Sequence, residues 1–192
     1  GFNIEVVEGI EENRLTYIAV QYAIEDLRSQ IGRSNSLIIE VGGGSTEVML
    51  LQRSKIVASH SLNIGTVRIE QDVPTAATPD YRVKMLGERI GTMSEILDNE
   101  LEMKRIRLFV AVGGHARLAA LKVGKKINDL YSVIKKDDFD TLVDKIQHLT
   151  LDECVRQLKI TYDDADGLVT GLLIYKHFFD ETSAEELILP TP

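Results

Sequence analysis

Apolar and polar residues alternate from 3 to 8, with Ile4 and Val6 on one side, the pattern of a short strand. From Glu11 to about Ser29 the period lengthens. Leu15, Ile18, Ala19, Tyr22 and Ala23 recur at i, i+3, i+4 and i+7, the stripe of an amphipathic helix. The turn cluster GRSNS (32–36) precedes three strand candidates in quick succession, 37–41, 47–51 and 56–60. QRSK separates the last two and predicts an antiparallel hairpin. After LNIGTVRIEQ and a Pro- and Thr-containing loop at 73–79, a helix of about 22 residues is predicted from Asp80. Its stripe is Leu86, Ile90, Met93, Leu97 and Leu101. RLFVAVGG reads as a buried strand meeting a Gly-Gly turn, and HARLAALKVG as a helix starting directly from that turn. Two short helices follow at 137–149 and 151–159. An apolar helix then places Leu168, Leu172, Tyr175 and Phe179 on one face, with Val169 and Leu173 beside them, before EELILP closes as a strand. No internal repeat is evident. Strands joined by tight turns, then helices alternating with strands, predict one α/β domain over 1–192. Its mixed sheet has about five strands, flanked by helices and reached in its later members by helical crossovers.

Composition narrows the function classes. With 192 residues, 44% of them hydrophobic, and only four prolines, the chain is globular and large enough for a real core. No apolar run approaches the ~20 residues of a membrane-spanning helix, so no membrane partner is expected. One cysteine, Cys154, excludes an internal disulfide framework and suits a reducing cytoplasm. The net charge of -8 removes the basic field that nucleic-acid binding needs. An anionic ligand would need backbone N–H groups, individual basic residues or a metal. The chain opens on GFNIEVVEG, already in strand-like alternation without an initiator Met, and stops at LILPTP. The expectation is a piece of a longer protein.

The chemistry concentrates in EVGGGSTE (40–47). Gly42, Gly43 and Gly44 lack Cβ, so the backbone can approach a ligand and turn successive N–H groups onto a phosphate oxygen. Ser45 and Thr46 add hydroxyls. Glu40 and Glu47 would repel phosphate unaided, and make sense if they hold Mg²⁺ or orient a water. A plain glycine-rich hairpin turn accounts for the same letters. It is not a Walker loop, since no Lys follows the glycines and no helix is signalled. In VAVGGHARLAA, Gly113 and Gly114 would let an anion approach a helix N-terminus; an ordinary turn is the alternative. His115 reads more readily as a capping or packing residue than as a catalyst. His60, His148 and His177 lack ligand spacing, so no zinc site is predicted. In EGIEENRL, Glu11 and Glu12 either complement the helix dipole or supply a general base. YDDADG reads as helix capping.

Four blocks, in order, resemble the Ppx/GppA family of exopolyphosphatases and guanosine pentaphosphate phosphatases: EVVEGIEENRL, LIIEVGGGSTEVML, SHSLNIGTVRI and AVGGHARLAA. The resemblance implies the ribonuclease H-like, actin-like ATPase fold, with two similar α/β halves around a cleft. It implies hydrolysis of terminal phosphate from inorganic polyphosphate or guanosine pentaphosphate with Mg²⁺, or Mn²⁺ in its place. By position, Glu12 matches the family's general base, and Glu47 a carboxylate of catalysis or metal binding. Glu40 stands at an Asp position as a second metal ligand. Gly42, Gly43, Gly44, Ser45 and Thr46 match the phosphate loop, and Gly113 and Gly114 the second anion-facing loop. The chain departs from the pattern at Asn13 (usually Ala), Glu40 (Asp), His115 (a small hydroxyl residue) and Asp164 (Arg). An Asp-x-Gly-x-Asn-Ser phosphate loop is absent. The chain therefore resembles the second half of the two-domain unit, with residues 1–30 as a strand plus the helix that crosses between halves. The expected partners are polyphosphate or guanosine pentaphosphate and the N-terminal half of the same protein; a homodimer stays open. The fragment alone is expected not to turn over substrate. The alternatives are a non-catalytic phosphate- or nucleotide-binding sensor, or another actin-like member such as a kinase or heat-shock-type ATPase.

Overall fold

The computed structural model of the chain describes residues 9–74, 77–98 and 102–191. The strand expected at 3–8 and Leu101 lie outside them. The first helix is α1 (Gly9–Ala23), continued through a 3-10 turn into α2 (Arg28–Ile31). The meander follows as β1 (Asn35–Val41), β2 (Thr46–Gln52) and β3 (Lys55–Leu62). Next come α3 (Thr66–Glu70), α4 (Pro79–Asp98), β4 (Ile106–Val112) and α5 (Gly114–Val123). The short hairpin β5 (Lys125–Lys126) and β6 (Tyr131–Lys135) precedes α6 (Lys136–Ile146), α7 (Leu151–Leu158), α8 (Tyr162–Ala165) and α9 (Leu168–Glu181), and β7 (Glu186–Pro190) ends the fold.

Among the described residues, seven strands form one mixed sheet in the order β3-β2-β1-β4-β7-β6-β5. β1, β4 and β7 run parallel in its centre, and the flanking pairs are antiparallel. The two strands beyond the expected five are the β5–β6 hairpin. β5 has only two residues, both exposed lysines, and β6 buries only Tyr131 and Ile134, so neither forms an apolar run.

Alternation divides the sheet into two faces. Leu37, Ile39 and Val41 of β1 join Val48, Leu50 and Phe109 in the larger core under α4, α5, α6 and α9. Ile38, Met49, Leu51 and Val110 face α1 through Val20, Ala23 and Ile24. This corrects the expected stripe of α1. Leu15 and Ile18 are 47% exposed and Tyr22 68%, and of the expected residues only Ala23 is buried. The helix carries two apolar stripes, and the sheet takes the one aligned with the polar anchors Asn13, Thr16 and Tyr17.

At the far end of the larger core, Lys136 and Lys176 both reach Asp180. Burial opposes the charge of Asp180, yet the hydrogen bonds from the two lysines outweigh it and hold the carboxyl below its usual range. A depressed folded pKa gives stability that is present above the unfolded value and lost as pH falls through the folded one. We expect Asp180→Asn to lower the urea midpoint at neutral pH and to flatten its fall between about pH 5 and pH 2. An unchanged acid limb would remove the lysine cluster from this role. No helix among the described residues is long and apolar enough to cross a membrane.

Candidate functional site

The turn of the β1–β2 hairpin is closed by Gly42, whose N–H donates to the Ser45 carbonyl at 2.9 Å. The carbonyls of Gly42 and Gly43 are held from behind. The Gly42 carbonyl accepts from Thr66 N–H (3.0 Å), and the Gly43 carbonyl accepts from Val67 (3.0 Å) and Arg68 (3.1 Å). The otherwise unsatisfied first N–H groups of α3 thus anchor the loop by its oxygens. On the opposite side, the N–H groups of Gly43 and Gly44 find no acceptor among the described residues, and all three glycines are exposed. Two successive free N–H groups on one side of a turn are donors of the kind that hold an anion without a lysine.

The anchoring needs Gly65, a fixed glycine of the SHSLNIGTVRI block to which the sequence assigns no role. A Cβ there would lie 2.3 Å from the Gly43 carbonyl oxygen and 2.4 Å from the carbonyl carbons of Gly43 and Gly44. The signal was present in SHSLNIGTVRI, as the glycine directly before α3.

Ser45 is half-buried in the same turn. Thr46 does not face outward. It is fully buried, and its hydroxyl donates to the Ile64 carbonyl, so it braces the α3 approach instead of facing a ligand. Strand alternation explains this, because Thr46 and Glu47 must point to opposite faces. We expect Thr46→Val to cost about 1–3 kcal/mol by stranding that carbonyl, with Thr46→Ser near wild type. Equal urea midpoints for the valine and serine variants would contradict the bracing role.

Glu40 and Glu47 are direct cross-strand partners on the α1 face, where like charges disfavour each other. Different groups hold them. Thr16 Oγ1 donates to Glu40 Oε2 at 2.9 Å. Asn13 Nδ2 donates to Glu47 Oε2 at 3.3 Å, and Ser61 Oγ to Glu47 Oε1 at 2.6 Å. Neither carboxylate has a salt bridge among the described residues. Two adjacent carboxylates without a cationic partner fit a divalent cation that keeps several waters, as Mg²⁺ does. The described residues contain no cluster of three or more His, Cys, Asp or Glu that would form an all-protein metal cage. In the first turns of α1, Glu11 is engaged by Arg14 at 2.9 Å, and that hydrogen bond holds its carboxyl below the usual range. Glu12 is exposed, adjoins the Asn13 that reaches Glu47, and has no partner among the described residues.

The second glycine turn leaves the same sheet edge, because β1 and β4 are parallel. Gly113 has φ 125°, and a Cβ there would lie 3.0 Å from Tyr175 Oη and 3.1 Å from the Val41 carbonyl oxygen. Gly114, exposed, opens α5. One turn later, the exposed Arg117 guanidinium lies 4.0 Å from where a Gly114 Cβ would sit. Between α1 and this turn is a cavity of about 270 Å³ lined by Thr16, Val20, Glu40, Gly113 and Arg117 among others. Arg117 is a cation that sequence reading passed over inside HARLAA. His115 packs against Gly171, and its Nε2 lies 3.1 Å from the Asp166 carbonyl. The N-cap of α8 is Thr161 rather than an acid of YDDADG. Thr161 accepts from Asp164 N–H at 3.1 Å and donates to its carboxylate at 2.8 Å.

Comparison with known proteins matches residues 1–191 to the family model of the Ppx/GppA phosphatase family. "Exopolyphosphatase 2" from two strains of Mycobacterium tuberculosis is 32% identical over 95 residues, 47% of this chain and 28% of that protein. Among solved structures, the Aquifex aeolicus Ppx/GppA family member aligns with TM-score 0.74 and 20% identity, over 98% of this chain and 60% of that one. An exopolyphosphatase from Cytophaga hutchinsonii gives TM-score 0.70 and 19% identity, over 82% and 53%. The chain spans little more than half the length of these solved relatives and a smaller part of the curated ones. The likeness establishes the actin-like fold.

Proposed function

Since the chain belongs to the Ppx/GppA phosphatase family, we propose that it forms one wall of a cleft in which the terminal phosphate of inorganic polyphosphate or guanosine pentaphosphate is hydrolysed. The observation that carries this reading is the meeting, at one sheet edge, of two glycine turns with Glu40 and Glu47. Backbone N–H groups of Gly43 and Gly44, with Ser45, take the terminal phosphoryl oxygens; Gly114 and Arg117 take the neighbouring phosphate. Preorganised donors of this kind stabilise the charge that develops in the transition state. Glu12, free of the ion pair that occupies Glu11, removes the proton of the attacking water. Mg²⁺, or Mn²⁺ in its place, would be held by Glu47 and Glu40 and would supply charge neutralisation of the phosphates. Asn13 and Ser61 fix the orientation of Glu47 whether or not it holds a cation.

The same reading assigns the opposite wall to a preceding half of the same polypeptide. The exposed Leu15, Ile18 and Tyr22 of α1 suit burial against that half. The 192-residue chain alone then binds phosphate without turnover, and the setting is cytoplasmic.

A sensor that binds without hydrolysis is favoured by one cluster of observations: Glu40 is tied to Thr16, His115 is committed to packing, and Asp164 is acidic. Phosphate release separates the two readings. A polypeptide of the relatives' full length carrying this sequence should release phosphate from polyphosphate or guanosine pentaphosphate with Mg²⁺ or Mn²⁺. Binding of either compound with no release would favour the sensor.

A further inference from the structure

We propose that Tyr175 is a positioning residue that fixes the separation of the two anion-facing glycine turns, an inference that rests on the phosphate-site reading above. The parallel ladder of β1 and β4 ends at the pair Glu40–Val112, and the next residues lead into the two turns. Beyond that pair a side chain bridges the two strands. Tyr175 Oη, from the middle of α9, donates to the Val112 carbonyl and accepts from Val41 N–H at 3.3 Å. The hydroxyl therefore occupies the place of the next ladder rung, joining the last residue before each turn.

Gly113 shows how close this arrangement is, since its missing Cβ leaves room for both Tyr175 Oη and the Val41 carbonyl. The same helix supports the turns at two further points. Thr170 donates to Glu70 of α3, the helix whose N–H groups hold the Gly42 and Gly43 carbonyls. Gly171 makes room for His115 in the first turn of α5. Tyr175 is fully buried, and burial pushes its hydroxyl well above the ordinary tyrosine range, so it stays a neutral donor and acceptor. Two anion sites that must act on one phosphate chain need a fixed spacing, and a displacement of about 1 Å is costly to such geometry.

The test is Tyr175→Phe in this chain, followed by amide NMR during titration with tripolyphosphate and Mg²⁺. In the wild type, Gly43, Gly44 and Gly114 should shift together with one affinity. In the variant, affinity should fall about tenfold, the scale of one lost buried hydrogen bond, and the two turns should report separate affinities. Retention of the single wild-type affinity overturns the proposal. Silence of these amides in the wild type would count against the phosphate site, and Tyr175 is then judged on the free protein. There, the variant should speed hydrogen exchange at Val41 and move the Gly113 and Gly114 resonances while β2 stays unchanged. A uniform change across the sheet overturns the proposal by reducing Tyr175 to general packing. Gly113→Ala gives a second measure. Its methyl would press on Tyr175 Oη, so its effect on Gly43 and Gly44 should shrink in the Tyr175→Phe background, and strict additivity would contradict the coupling.

Discussion

Gly65→Ala is expected to destroy phosphate binding at the first glycine turn while leaving the sheet folded. The added methyl carbon would stand 2.3 Å from the Gly43 carbonyl oxygen and 2.4 Å from two carbonyl carbons. All three are backbone atoms, so no side-chain rotation relieves the clash. The backbone of Gly65 is extended, with φ -125° and ψ 156°, a conformation open to any residue. Space alone demands glycine. Relief requires the turn to move off α3 by more than 1 Å, which breaks the three hydrogen bonds that aim its N–H groups outward. Overpacking of this kind costs about 1–3 kcal/mol of stability. Misplacing two backbone donors to a charged phosphate should cost about a hundredfold or more in affinity. Calorimetric titration with tripolyphosphate, beside a urea melt, separates the two effects. Near-normal affinity in a folded Gly65→Ala protein would show that the turn does not hold the phosphate.

The second large effect is expected at Glu12. In a full-length polypeptide, Glu12→Gln should lower kcat by about 10²–10⁴ with little change in KM, as for loss of a general base. Glu11→Gln is the internal control. Glu11 is tied to Arg14 at the surface, so its loss should leave kcat within about twofold, as for an exposed ion pair. Steady-state phosphate release from polyphosphate checks both variants side by side. Equal losses, or an active Glu12→Gln protein, would remove the base from this position.

Much of this architecture is legible in the sequence. Strands β1, β2, β3, β4 and β7 announce themselves by apolar runs or alternation, and the two glycine turns directly follow β1 and β4. What stays hidden has identifiable causes. The inner face of α1 is ambiguous because Leu15, Ile18 and Tyr22 form as good a stripe as Tyr17, Val20 and Ile24; polar anchors on a distant hairpin decide between them. α3 has five residues, too few to show a period. Thr46 looked like a ligand by composition, yet its inward direction follows from the outward Glu47 beside it. Tyr175 sits in the core-facing stripe of α9 like any packing residue, and its partners Val41 and Val112 are contributed by their backbones, which carry no sequence signal. Arg117 was equally inconspicuous inside an ordinary helix.

The capture of the Gly42 and Gly43 carbonyls by α3 also bears on how the hairpin can evolve. Each oxygen is matched to a particular amide of the helix, Gly42 to Thr66 and Gly43 to Val67 and Arg68, so the two segments mesh like a key in its wards. Inserting or deleting one residue between Val41 and Thr46 would slip that mesh even if every glycine were retained. The peptide planes also carry the polarisation of α3 forward to the outward N–H groups, since linked hydrogen bonds strengthen one another. Hairpin length and helix start are therefore constrained together, and grafting the turn into another sheet would require bringing residues 62–70 with it.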